Sequence, residues 1–253
     1  MDTVTRFDNR VESYVRGRPH YPHAVLACLV REYGLGPTSI IADVGAGTGL
    51  LTRLLLTAGC AVTAVEPNDR MRQAADVMLG GHPGYHSRAG AAEATQLPER
   101  SVHFVTAGQA FHWFNPTEAR RELRRILRPG GWVALVWNSR REQGAPFLDG
   151  YEALTRTYGI DYPQITHGHT VNGESLAAFF GPAGFTEYSF VNRQTMDLQG
   201  VIDRLSSTSY MPAPGHPAYA EMLESTRRLF AATATHNHVV MEYDTNLLVG
   251  RLQ

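Results

Sequence analysis

The stretch 41-IADVGAGTGLLT-52 sets three glycines, Gly45, Gly47 and Gly49, between one apolar run and another. A glycine-rich turn directly after a buried strand and before a helix lets a ligand reach backbone N–H groups, since no Cβ blocks its approach and the helix N-terminus faces it. Working outward, 39-SIIADV-44 reads as a buried strand and 50-LLTRLLLTA-58 as a helix stopped at Gly59. Upstream, Val25, Leu26, Leu29 and Val30 share one face of a helix over 22–33, opened by Pro22 and closed by Gly34. Downstream, 61-AVTAVE-66 is a second strand, and 68-NDRMRQAADVML-79 is a helix capped by Asn68 or Asp69. A short third strand is expected at 85–89 and a fourth at 102–109. The segment 115-NPTE-118 has a capping asparagine, then proline, then glutamate at the third helical position, so it opens a helix running to about Leu127. RPGG then turns the chain into a fifth strand, 132-WVALVW-137.

Strand and helix alternating in this way imply right-handed crossovers and a parallel sheet covered on both faces, an α/β doubly wound fold. The second half is less regular. Residues 139–172 are rich in Gly, Pro, Tyr and His, with one helical stretch at 147–158, which reads as an insertion over the sheet edge. A helix at 174–180, a strand at 185–191, helices at 197–207 and 217–232, and a last strand at 238–249 follow. The expected whole is a Rossmann-like, seven-stranded, mostly parallel sheet.

Composition narrows the function. The 253 residues are 43% hydrophobic and carry a formal net charge of -1, so nothing draws the chain to a polyanion or an anionic membrane. All 23 basic residues are arginine, which removes lysine Schiff-base chemistry. Cys28 and Cys60 lie in apolar segments without metal-like spacing, as small buried thiols do. The pairs 167-HGH-169 and 236-HNH-238 lack further ligands at metal-like spacing, so no metal is expected. The N-terminus has no apolar targeting segment and no stretch reaches membrane-spanning length, so a cytoplasmic protein is expected. In 120-RRELRRILR-128, Leu123, Ile126 and Leu127 form the buried stripe and the arginines lie outside it, which argues against a nucleic-acid surface.

Two positions narrow the ligand. A dinucleotide fingerprint starting at Gly45 needs a glycine at position 50, where the chain has Leu50. Glu66 ends the second strand, 21 residues after Gly45, and a carboxylate there can accept from both hydroxyls of a ribose.

The ordered series IADVGAGTG, VEPNDRMRQAA, GAAEATQLPERSVHFVTAGQAFHWF and LRRILRPGGWVALVW resembles the motifs of class I S-adenosylmethionine-dependent methyltransferases over residues 41–137. The N-terminal RFDNRVESYVRGRPHYP and the late SSTSY are similar to the trans-aconitate methyltransferase-like subgroup, within the type 11 methyltransferases. The resemblance implies that Gly45, Ala46, Gly47 and Gly49 approach the amino-acid part of the cofactor, with Asp43 organising the loop. It implies that Glu66 holds the ribose, that Pro67 and Met71 flank adenine, and that Ala91, Ala92 and Glu93 lie at the adenine edge. Gln109 and Phe111 would line the methyl end, and Tyr14 and Arg18 would close over the cofactor. Two positions depart from the family: Ala91 stands where an acid is usual, and His103 where Asp is frequent.

The implied reaction is methyl transfer to a carboxylate, hydroxyl or carbon of a small molecule by a monomer or homodimer; a cyclase or isomerase that retains the cofactor is the alternative. Residues 1–138 would form the cofactor core with its lid segment, and 139–253 the acceptor-site insertion and the rest of the sheet. Methyl transfer needs alignment more than proton traffic. A phenol or alcohol acceptor would gain from a base, for which His112 is the leading candidate, against a histidine packed beside Trp113 and Phe114. His20 competes, or belongs to a turn. Arg18 could pair with a carboxylate or be solvated, and Tyr210 and Ser207 could reach the acceptor or serve the core.

Overall fold

The computed structural model describes residues 16–160 and 173–252. Among these, one sheet holds β1 (Ile40–Val44), β2 (Ala61–Val65), β3 (Tyr85–Arg88), β4 (Val102–Gly108), β5 (Leu127–Arg140), β6 (Phe185–Met196) and β7 (Val239–Gly250). Their spatial order is 3-2-1-4-5-7-6. The first five strands run parallel, and β7 is wedged antiparallel between β5 and β6. Helices α1 (His23–Tyr33), α2 (Leu50–Leu56), α3 (Asp69–Leu79) and α4 (Pro116–Ile126) serve the first half; α5 (Pro146–Tyr158), α6 (Gly173–Phe180), α7 (Leu198–Ser206) and α8 (Tyr219–Thr233) serve the second.

The continuous apolar strands are explained by burial on both faces. Along β5, Ala134 and Val136 join one core with α1 and α2, while Val133 and Leu135 join the other with α4 and α6. β7 alternates in the same way, Leu247 and Val249 against Leu248. A parallel sheet covered by helices on both sides requires this pattern. The caps follow the sequence: Asn68 Oδ1 accepts from Met71 N at 2.9 Å, and Asn115 Oδ1 from Glu118 N at 3.3 Å.

Two expectations are corrected in detail. RPGG does not precede β5 but lies within it: pairing with β4 jumps from Val102–Leu127 to Phe104–Trp132, so residues 128–131 loop out of the ladder. β6 also reaches further than expected, while β7 keeps its expected length one residue further along. The outer part of β6, through Met196, pairs with β7 at Val239, and together with Met241 and Tyr243 they form a third core under α5, α7 and α8. Packing of these helices is what prolongs β6.

His103, at the opposite end of the sheet from the glycine turn, accepts from Ile40 N through Nδ1 at 2.9 Å. It thus satisfies the first amide of β1.

Candidate active site

β1 pairs with β2 on one side and β4 on the other, and the segments leaving their carboxyl ends part at this point. Open α/β sheets bind ligands at such a switch point. Here the crevice is a cavity of about 790 Å³.

The glycine turn forms its floor. Gly45, Gly47 and Gly49 take φ values of +66°, +56° and +81°, a region L side chains enter at a cost. Gly45 N and Ala46 N donate to Val65 O at 2.9 and 3.2 Å, which ties the turn to the end of β2. A Cβ at Gly45 would come within 2.6 Å of the Ala110 Cβ, so this glycine lets the loops after β1 and β4 touch. At Gly47 a Cβ would meet nothing within 4 Å, and the residue faces the cavity. Gly49 is a correction: it does not line the cavity, because its α-carbon is packed on α3, where a Cβ would lie 2.7 Å from Leu79 Cδ1.

Two buried carboxylates hold this floor. Asp43 accepts from Thr52 Oγ1 at 2.6 Å and from Thr106 Oγ1 at 2.8 Å. Burial pushes its carboxyl up to about 6, against the pull of those hydroxyls. Glu66 accepts from Gly47 N through Oε2 at 2.8 Å and from Asn68 N through Oε1 at 2.9 Å. Its pKa is raised by burial, opposed by the two amides and by Arg72. Each Glu66 oxygen keeps a second lone pair, so the carboxylate can brace the turn and still accept from a ligand. Beside it, Thr48 lines the cavity, and its buried hydroxyl has no hydrogen-bond partner. An open glycine cradle, an orphaned hydroxyl and a carboxylate with spare acceptor capacity fit a ligand that carries hydroxyls and an amino-acid end.

Pro67, Met71, Ala91, Ala92 and Glu93 also line the cavity. Ala91 and Ala94 exchange backbone hydrogen bonds that shape this edge, and Glu93 Oε1 accepts from Asn115 N at 2.7 Å. Glu93 is therefore the acid available at the edge where Ala91 replaces one. On the other side, Gln109 sits at the end of β4 with φ +56° and donates through Nε2 to Asn138 O at 2.9 Å. A left-handed non-glycine residue at a cavity is a strained position of the kind that functional sites retain. His112 reaches the cavity with its ring 4.8 Å from that of Trp113.

Other expected residues are placed elsewhere. Phe111 is corrected: it is buried behind the wall, edge-on to Phe114, Trp137 and Phe179. Ser207 is fully buried and donates to Arg204 O at 2.7 Å, so it closes the end of α7 and does not reach the cavity. Burial, and then the facing Arg53, lowers the pKa of His20, and its carbonyl accepts from Asn192 Nδ2 at 2.7 Å. It anchors the N-terminal strap. Arg18 and Tyr210 do line the cavity, and Arg18 Nη2 donates to Ser207 O at 3.0 Å. Tyr14 and 167-HGH-169 lie outside the described residues. The motif reading missed Thr48, Tyr21, Trp137 and Arg204, all in the cavity wall.

Residues 42–135 match the family described as a methyltransferase domain. An uncharacterised methyltransferase of Mycobacterium tuberculosis is 31% identical over 247 residues, covering 96% of this chain and 94% of its own length. The chain belongs to the class I S-adenosylmethionine-dependent methyltransferases of the type 11 group. A Schizosaccharomyces pombe methyltransferase is also 31% identical to this one, over 81% of this chain and 80% of its own. Among solved structures, a protein of Anaeromyxobacter dehalogenans assigned as a type II methyltransferase superposes on this methyltransferase with a TM-score of 0.66 at 24% identity, covering 93% of this chain and 98% of that one. That likeness is one of fold. Among the described residues of the methyltransferase no His, Cys, Asp and Glu group is arranged to hold a metal ion, and no helix is long and apolar enough to cross a membrane.

Proposed function

We propose that the cavity binds S-adenosylmethionine and that the enzyme transfers its methyl group to a small organic molecule. The observation that carries this reading is Glu66, a buried carboxylate in the cavity wall, braced by Gly47 and Asn68 with lone pairs to spare. Glu66 would hold the ribose hydroxyls, and Gly47 and the Thr48 hydroxyl the amino-acid end. Met71 and Pro67 would face adenine, with Ala91, Ala92 and Glu93 at its edge. When bound, S-adenosylmethionine supplies an electrophilic methyl group on a sulfonium.

The remaining wall carries the acceptor chemistry. Trp113, Phe114, Trp137 and Tyr210 also line the cavity, and its volume of about 790 Å³ lies toward the upper end of the ~300–1,000 Å³ usual for small-molecule pockets. The aromatic wall and the strap at Arg18–Tyr21 exclude water from the acceptor. His112 is assigned as the base that takes a proton from a hydroxyl acceptor, a role worth ~100-fold or more in rate. Alignment supplies most of the remainder.

The test uses methyl-labelled S-adenosylmethionine with fractionated small-molecule extract. Label in a low-mass product, with S-adenosylhomocysteine formed in equal amount, supports the reading. Product formed without S-adenosylhomocysteine identifies a cyclase or isomerase instead.

A further inference from the structure

Arg204, on α7, is only 8% exposed yet lines the cavity. Its Nε donates to the Tyr243 hydroxyl at 3.2 Å and its Nη1 to Thr208 Oγ1 at 3.0 Å. Neither partner is a carboxylate. The acids around it are committed elsewhere: Asp203 pairs with Arg16 at 2.9 Å, and Glu152 is shared by Arg140 and Arg156. Arg140 itself keeps one buried nitrogen, Nη1, without a hydrogen-bond partner. Arg204, Arg140 and Arg18 all bear electrostatically on Tyr210, as does Glu152 with the opposite sign. Glu187, also on the cavity wall, is exposed. A guanidinium does not shed its proton in a protein, and a buried charge without a counter-charge is costly. Among the described residues, no carboxylate is hydrogen-bonded to the Arg204 guanidinium, which leaves it able to take an anion.

We propose that Arg204, with Arg18 and Tyr210, forms an oxyanion subsite that grips a carboxylate or phosphate of the acceptor molecule, as a handle and not as the atom that is methylated. A carboxylate whose lone pairs are taken by a guanidinium fork is a poor nucleophile. Methylating that oxygen would also erase the negative charge and leave Arg204 buried and uncompensated in the product complex. An anion that survives the reaction keeps the site neutral throughout. The acceptor class is then a small molecule with an oxyanion at one end, an apolar body against Trp113 and Trp137, and its nucleophile elsewhere. This rests on the methyl-transfer reading above.

The test is calorimetry on protein saturated with S-adenosylhomocysteine, so that the cofactor's own carboxylate is already in place. Phenylacetate, phenyl phosphate and the neutral phenylacetamide serve as probes. At least one anion is expected to bind ten times or more tighter than the amide, and the tighter of the two assigns the handle. Arg204→Met should abolish this preference and Arg204→Lys retain part of it, both with unchanged affinity for S-adenosylhomocysteine. Equal binding of anions and amide to the wild type overturns the subsite, and that comparison needs no variant to fold. An Arg204→Met variant that keeps the preference overturns it too. So does one that loses S-adenosylhomocysteine to the same extent, since Arg204 would then serve the cofactor. An acceptor whose single carboxylate is esterified, shown by methanol released in mild base and no remaining oxyanion, overturns the handle assignment. Failure of the wild type to bind S-adenosylhomocysteine at all would instead count against the methyl-transfer reading.

Discussion

Replacing Glu66 by alanine removes two kinds of interaction that the structure separates. The carboxylate accepts from Gly47 N at 2.8 Å and Asn68 N at 2.9 Å, so its loss leaves two amides at the base of the site to find water. Hydrogen bonds to a charged group contribute ~1.5–3 kcal/mol each, and water admitted to the cavity offsets part of this, so a stability loss of ~1–3 kcal/mol is expected. The spare lone pairs would accept two ribose hydroxyls. At the lower figure these add ~3 kcal/mol to cofactor binding, which is on the order of a hundredfold in Kd. Glu66→Gln refines the test: one amide keeps a carbonyl acceptor, the other meets an NH₂ group, and affinity should fall between wild type and Glu66→Ala. Isothermal titration with S-adenosylhomocysteine, at a temperature where circular dichroism shows each variant folded, measures this directly. A folded Glu66→Ala protein that binds within threefold of wild type would refute the ribose assignment.

Three further outcomes follow. Asp43 is raised from 3.8 to about 6, so the native state holds its proton where the unfolded chain has lost it, and stability should rise by up to ~3 kcal/mol as pH falls from about 7 toward 4. Thermal denaturation of wild type against Asp43→Asn over that range checks the sign; a pH dependence shared by both proteins would assign it to other groups. Gly45→Ala combines a strained φ of +66° with a 2.6 Å approach to Ala110, whereas Gly47→Ala has φ +56° and free space, so Gly45→Ala should lower Tm more. Gly47→Ala should lose cofactor affinity with little loss of Tm beyond the ~1–2 kcal/mol of strain, and equal Tm values would contradict the packing argument. With a hydroxyl acceptor, His112→Ala should lower kcat ~100-fold without changing the Kd for S-adenosylhomocysteine, and unchanged kcat would remove the base role.

The sheet was legible because its central strands are buried on both faces and its helices on one, so the two periods separate along the first half of the chain. That Asp43, Gly45, Gly47 and Glu66 share one cavity was legible for a related reason: they lie at strand ends, and strand ends in this topology converge. What stayed hidden depends on orientation or on distant packing. Gly49 and Phe111 belong to the right loops but face away from the cavity, and one-residue differences in direction leave no mark in a motif. The outer reach of β6 was short in the reading because the side chains that bury it, Tyr151 and Leu205 among them, come from helices on either side of it in sequence. Arg204 had a visible signal: it shares a helical stripe with the buried Val201 and Leu205, where a cation is out of place. Thr48 stood inside the glycine turn itself, and its importance emerged only once its hydroxyl was seen buried without a partner.

The most direct test of the account is a crystal structure of the protein with S-adenosylhomocysteine. The account predicts ribose hydroxyls on Glu66, the amino-acid end at Gly47 and Thr48, and adenine between Met71 and the Ala91–Glu93 edge, with the Arg204 end of the cavity left for the acceptor. Density for the ligand with its ribose away from Glu66, or outside this cavity, would contradict it.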